Sequence, residues 1–215
     1  MGENLPFRLI LASASPARSY LLGRAAYTFD VIPSHIDEPT QADYPDCQTL
    51  VAHIAWLKAK AVAMTIAADE SRPAVVLAAD TVGWHAGQVI GKPADAEDAR
   101  RIISTLSGTT HELWTGVCLW RRPGDLQFAF QEKSLVAMRA LGEDELNAYI
   151  ASGAWDGHSG GYAIKEDGDD PFLKVVKGDI TNVIGLPMET LEHCLERLKR
   201  LCFLDSIQPG VALLR

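Results

Sequence analysis

Apolar and polar positions change rhythm several times along the chain, and each change predicts an element. Residues 7–12, FRLILA, are a short, nearly continuous apolar run closed by SAS, which reads as a buried strand. From Pro16 to Arg24 the spacing turns helical, with Pro16 where proline favours a helix start. YTFDVIPS (27–34) alternates as a second strand, and the polar HIDEPTQADYPD follows as a loop. Residues 47–68 place Leu50, Ile54, Leu57, Ala61 and Met64 at helical spacing, predicting a long helix with one apolar face. VVLAADTVGWH (75–85) is a strand that turns at AGQ into VIGKP. DAEDARRIISTLSG (95–108) is a helix capped by Asp95, acidic in its first turns, with Gly108 at its exit.

Strands dominate the next segment. THELWTGVCLWRR and LQFAFQEKSLVAMRAL flank PGD, the pattern of a long β-hairpin. Its apolar positions (Leu113, Val117, Leu119, Phe128, Phe130) belong either to the core or to a dimer face. GEDELNAYIAS is a helix with an acidic start, and GAWDGHSGGYAIKEDGDD is a glycine-rich loop. FLKVVKGD is a strand, LPMETLEHCLERLKRL an amphipathic helix, and the last dozen residues a tail. No repeat, low-complexity block or linker interrupts the pattern. Early alternation followed by clustered strands predicts an α/β fold with a mixed sheet, in one domain with tails at 1–6 and 204–215.

Composition narrows the function classes. The chain has 215 residues, 47% hydrophobic and 22% charged, enough for a substantial core. No apolar run approaches the ~18 residues of a membrane span, and the N-terminus lacks the basic region of a signal peptide. A net charge of −8 argues against a broad nucleic-acid face. A polyanionic ligand must then be met by a local cationic cluster, a metal ion or both. Cys47, Cys118, Cys194 and Cys202 form no CxxC pair, so reduced thiols in a cytoplasmic protein are the expectation.

Five stretches can carry chemistry. In LILASASPAR, Ser15 can cap the helix that Pro16 starts, and Arg18 projects from its first turn. That is either an ordinary capped helix or an anion site built from backbone N–H groups, Ser13, Ser15 and a forked guanidinium. Asp80, with Thr81 beside it, is either a strand-end cap or a carboxylate where open α/β sheets place ligands. Asp37 and Glu38 follow the second strand, as solvated acids or as oxygen donors to a hard cation. Lys58 sits on the long helix, and Lys92 precedes Pro93, which holds its backbone extended. In DGHSGGYAIKEDG, Lys165 can reach a ligand and Tyr162 can offer a stacking face, whereas Asp156 and His158 have no metal-binding spacing. The chain has no G-x-x-x-x-G-K-[ST] loop, no G-x-G-x-x-G after a strand and no G-x-S-x-G elbow.

LILASASPAR, SHIDE, LKAKAVA, AADTV, IGKPAD, LSGTTHELWTGV, YIASG, GGYAI and NVIGLP occur in an order that resembles the Maf family of nucleoside triphosphate pyrophosphatases, over residues 8 to about 200. The resemblance implies an elongated α/β fold related to inosine triphosphatases, with two lobes around a cleft. It implies hydrolysis of a nucleotide, dTTP/UTP-like or modified, to the monophosphate and pyrophosphate, with Mg²⁺ or Mn²⁺ held by Glu38 and Asp80. Asp80 matches the family's proton acceptor, and Glu38, Lys58 and Lys92 match its other catalytic residues. Ser13, Ser15 and Arg18 match its phosphate-binding opening. Ala17 stands where many members have arginine, and Lys165 where they have glutamine, both positions linked to base choice. Thr81 is the residue of the dTTP/UTP group. The expected partner is the nucleotide, without nucleic acid or membrane, in a chain that can form a homodimer. Two other readings compete: a nucleotide-binding regulator of cell division without catalysis, and a phosphomonoester hydrolase that would release inorganic phosphate.

Overall fold

The strand at the start of the chain, β1 (Arg8–Leu11), lies between β2 (Phe29–Val31) and β3 (Ala74–His85) and runs parallel to both. The rest of the sheet is antiparallel. β3 pairs with β5 (Thr110–Arg122), β5 with β6 (Gln127–Met138) and β6 with β7 (Leu173–Lys177). The short β4 (Gln88–Ile90) folds back on the end of β3. The result is a seven-stranded mixed sheet in the order β2-β1-β3-β5-β6-β7, with β4 beside β3. This computed structural model describes residues 5–67, 72–164 and 170–207.

Helices cover the sheet according to the alternation of its side chains. From β3, Val75, Leu77 and Ala79 pack with Leu21 and Leu22 of α1 (Pro16–Arg24) and with Leu191, Leu195 and Leu198 of α6 (Met188–Ile207). Val76 and Ala78 point the other way, onto Ala55, Ala59 and Val62 of α2 (Cys47–Ala63). A further core joins Ile102, Ile103 and Leu106 of α3 (Ala96–Leu106) to Leu113, Val136, Met138 and Leu173. The amphipathic α4 (Glu143–Ser152) packs its Leu146 and Tyr149 against that core, and Val183 of α5 (Ile180–Ile184) closes it. Each fully buried aliphatic side chain contributes about 1.5–3 kcal/mol. Val117 and Leu119 lie in the first core and Leu113 in the third, with Phe128 and Phe130 packed partly buried on the first, so the hairpin's apolar positions are core.

The expected caps are in place. Ser15 Oγ accepts from Arg18 N at 3.4 Å, and Asp95 Oδ1 accepts from Asp98 N at 2.9 Å. Several boundaries differ from the sequence reading. α2 ends at Ala63 rather than residue 68, and β2 keeps only three residues at the sheet edge. The last helix starts two residues late, at Met188, and runs on to Ile207. α5 is a five-residue helix too short to show a period, capped where Asp179 Oδ1 accepts from Thr181 N at 2.9 Å. The buried stripe of α2 is wider than the predicted one. Leu50 and Ile54 are buried as expected, Val51, Ala55, Ala59 and Val62 are buried too, and Met64 is exposed. Apolar residues occur on nearly every side of α2, and its alanines, being small, let the helix sit close to the strands. No helix among the described residues is long and apolar enough to cross a membrane.

Candidate active site

The site begins with a gap in the sheet. β1 ends at Leu11, opposite Leu77, and the pairing with β4 begins at Gly83, which faces Ile90, the last residue of β4. Along that edge, residues 78–82 of β3 have no neighbouring strand, and a cleft of about 650 Å³ opens there. Alternation along β3 sends Asp80 toward α2 and Thr81 toward α1. One strand thus delivers a carboxylate and a hydroxyl to two different helices.

On the α2 side, three charges meet. Lys58 Nζ donates to Asp80 Oδ1 at 2.7 Å and lies 2.7 Å from Glu38 Oε1. The Lys58 and Asp80 side chains are 11% and 10% exposed, whereas Glu38 is 51% exposed. The other Asp80 carboxylate oxygen has no hydrogen-bond partner among the described residues. Lys58 reaches Asp80 because α2 lies almost on the backbone of β5. Gly116 pairs with Asp80 in register. A Cβ at Gly116 would stand 2.3 Å from the Val51 carbonyl oxygen, so only glycine allows this approach.

On the α1 side, Arg18 is buried and held at every nitrogen. Its Nε donates to Gly185 O at 2.8 Å, Nη1 to Ser13 Oγ at 3.1 Å and Nη2 to Thr81 Oγ1 at 3.2 Å. Three of its five N–H donors are used, and two remain for a ligand. Burial works against the charge and lowers the Arg18 pKa, while the fields of Asp80 and then Glu38 support it. The relay continues inward. Thr115 Oγ1 donates to Asn182 O at 3.1 Å, which leaves it to accept from Thr81 Oγ1 across 2.9 Å. The Thr81 proton is therefore committed to the protein interior, and toward a ligand this hydroxyl offers a lone pair.

The third wall comes from the glycine-rich segment. Gly160 N donates to Gly91 O at 2.9 Å, tying that segment to the residue before Lys92. Ser159 Oγ donates to Thr81 O at 3.1 Å, filling part of the gap beside β3. Beneath it, Tyr162 is buried and hydrogen-bonds His111, while the Tyr149 hydroxyl donates to Gly161 O at 3.0 Å. Burial drops the His111 pKa to about 4, with His85 adding a smaller push the same way. Tyr162 therefore serves as a support whose ring lies under Gly160, 2.8 Å from where a Cβ there would be. Lys92 is exposed, lines the cleft, and has no ion pair or hydrogen bond among the described residues.

Of the residues singled out in the sequence, Ser15, Arg18, Glu38, Lys58, Asp80, Thr81 and Lys92 line one cleft. Ser13 stands behind it as a bracket, accepting from both Ser15 N and Arg18. His158 lines the cleft, Asp37 does not, and Lys165 lies outside the described residues. Sequence reasoning assigned no role to Gly185, Thr115, Gly116 or Ser159. For Gly116 the signal was a glycine inside a strand pattern, which marks a close backbone approach.

The donor set suits a hard cation in part. An oxygen of Glu38 and one of Asp80 already converge on a single positive group, the Lys58 ammonium. Among the described residues no set of three or more His, Cys, Asp or Glu side chains gathers to hold a metal. Two carboxylates with phosphate oxygens and water completing the shell is the usual arrangement for Mg²⁺ at nucleotide sites.

Comparison with known proteins places the sequence among relatives. The model of the Maf-like protein family matches residues 8–198. The dTTP/UTP pyrophosphatase of Anaeromyxobacter sp. (strain Fw109-5) is 39% identical over 196 residues, 90% of each chain. That of Anaeromyxobacter dehalogenans is 40% identical over 192 residues, 88% of this chain and 93% of the relative. The dTTP/UTP pyrophosphatase of Bacillus cereus is 35% identical over 196 residues, 91% of this chain and 92% of the relative.

Proposed function

The chain belongs to the Maf family, and from that premise we propose that it hydrolyses dTTP and UTP to the nucleoside monophosphate and pyrophosphate. The observation that carries this reading is the cleft itself. Two carboxylates face each other across Lys58, and Arg18 and Lys92 stand where a triphosphate tail needs positive charge. A chain of net charge −8 that only bound a nucleotide would not need two acids in the same pocket.

In this reading water attacks the α-phosphorus, and the bond from that phosphorus to the bridging oxygen of the β-phosphate breaks. The free oxygen of Asp80 accepts the proton of the attacking water. In the nucleotide-free cleft Lys58 holds the other oxygen, Oδ1, and so orients the carboxylate. The two spare N–H groups of Arg18, fixed by Gly185 O, Ser13 and Thr81, fork onto phosphate oxygens. Lys92 stabilises charge on the departing pyrophosphate. A divalent cation such as Mg²⁺ or Mn²⁺, held by Glu38 and Asp80, would neutralise charge on the phosphates and polarise the α-phosphorus. The relatives' shared substrates and Thr81 support the pyrimidine choice, while Ala17 and Lys165 set this chain apart in detail.

The test is a panel of canonical and modified triphosphates incubated with Mn²⁺, products resolved by chromatography. Monophosphate and pyrophosphate from dTTP and UTP are the expected products. Inorganic phosphate as the first product would favour a phosphomonoesterase, and binding without turnover a regulator. Asp80→Asn should keep its fold and lose about 10²-fold or more in kcat; near-normal turnover would remove Asp80 from its role.

A further inference from the structure

We infer that Lys58 is a placeholder: in the nucleotide-free enzyme its ammonium occupies the point between Glu38 and Asp80, so the divalent cation enters with the triphosphate and not before it. The inference rests on the proposed function and deepens it by giving the order in which the site is filled.

Three observations support it. First, the ammonium nitrogen is 2.7 Å from an oxygen of each acid, so it and a dication bound by the same oxygens compete for one place. Second, Lys58 is well held there. It projects from the middle of α2, between the buried Ala55 and Ala59, and the Gly116 contact presses that helix onto the sheet. Third, the two arms of the bracket are unequal. The Asp80 arm is buried, and the Glu38 arm is half exposed. An exposed ion pair is weak and screened, so the Glu38 arm opens first.

A free dication must displace this ammonium into water and gains only two carboxylates, since no third such ligand gathers among the described residues. A dication already carried on a triphosphate changes the exchange. The phosphate oxygens complete its shell and accept the displaced ammonium as well. Lys58 then passes from counter-ion of the acids to ligand of the phosphates, and no buried charge is left unpaired at any stage.

The experiment measures Mn²⁺ binding to the nucleotide-free full chain, by the electron paramagnetic resonance signal of free Mn²⁺. The proteins are wild type, Lys58→Met, Lys58→Gln, Lys92→Met and the double variant Lys58→Met/Asp80→Asn. Affinity scales with the fraction of molecules whose site is open, so removing an occupant present about 90% of the time tightens binding about tenfold. That tightening is expected in both Lys58 variants and is abolished in the double variant. Lys92→Met removes the same charge from the cleft without touching the acids, and should bind as wild type does. Equal tightening in Lys92→Met would mean a general field effect and would overturn the inference. So would Lys58 variants that bind no tighter, or a double variant that still binds tighter than wild type.

Should the Lys58 variants fail to fold, wild type labelled with ¹⁵N-lysine gives the answer. The Lys58 ammonium resonance should move when Mg²⁺ and a non-hydrolysable triphosphate are added together. Movement with the same Mg²⁺ alone would overturn the inference. Pyrophosphate release by wild type is scored separately. If it persists while the binding pattern fails, the placeholder role is lost and the activity stands; if it is absent, the proposed function falls.

Discussion

Gly116→Ala tests whether the distance between helix and sheet sets the chemistry. The added Cβ would lie 2.3 Å from the Val51 carbonyl oxygen, 2.5 Å from its carbon and 2.8 Å from Ala52 N. Ordinary contact begins at 3.4 Å, and all three atoms are backbone, so no side chain can swing aside. α2 must therefore retreat by roughly 1 Å, or β5 must bend away. Val51, Ala55 and Lys58 lie on one stripe of the helix, spaced four and then three residues apart, so the retreat carries Lys58 with it. Overpacking of this kind costs about 1–3 kcal/mol, a fall in Tm of roughly 3–9 °C for a chain of this size. A misplacement of about 1 Å at a reacting group costs on the order of 10²-fold in rate. Steady-state pyrophosphate release, with melting followed by circular dichroism, measures both. The expected result is a folded protein whose kcat falls about 10²-fold while KM changes less, because neither Arg18 nor Lys92 is carried by α2. A variant with kcat within about threefold of wild type would refute the argument that this glycine sets the Lys58–Asp80 pair.

The other predictions concern separate parts of the molecule. His111 has a folded pKa of about 4 against 6.5 unfolded, so protonation favours unfolding. Its contribution is complete above pH 6.5 and is lost as pH falls toward 4, by up to roughly 3 kcal/mol. Urea titrations should show His111→Gln losing less stability between pH 7.5 and 4.5 than wild type; parallel losses would contradict this. Thr81→Val keeps the shape but breaks the relay between Arg18 and Thr115, and should lower kcat/KM about tenfold with a stability cost of about 1 kcal/mol. Unaltered kinetics would show that Arg18 needs no hydroxyl to orient it. Lys165→Gln should change the relative use of pyrimidine and purine triphosphates in the product assay more than it changes Tm, and an unchanged preference would free Lys165 of any part in base choice.

Legibility in the sequence followed the range of the interactions. β1, α1, α3 and the β5–β6 hairpin could be read because a local period, a cap or a turn specifies each of them. The face of α2 is legible only at Leu50 and Ile54, because apolar residues surround that helix and the choice among the rest is made by the sheet it packs on. α5 is too short for a periodic signal, and its cap at Asp179 matters only beside the end of β6, where Ser134 Oγ donates to Asp179 O at 2.8 Å. The charged residues of the cleft are legible through the ordered motifs of the family resemblance, since by itself a stretch such as the polar loop around Glu38 reads equally as solvated surface. Their arrangement is not. Arg18 looked like a free fork for phosphate, yet three of its donors are engaged within the protein. Glu38 and Asp80 were expected around a cation, and the positive group between them belongs to Lys58.

The hydrogen bond from Arg18 Nε to Gly185 O joins residues 167 positions apart. During synthesis the arginine leaves the ribosome among the earliest residues, and the carbonyl that steadies it emerges near the end. A chain arrested before residue 185 can form β1 and α1 but leaves the guanidinium without its shortest hydrogen bond. The phosphate-facing geometry of the opening is therefore completed only once the C-terminal part has docked.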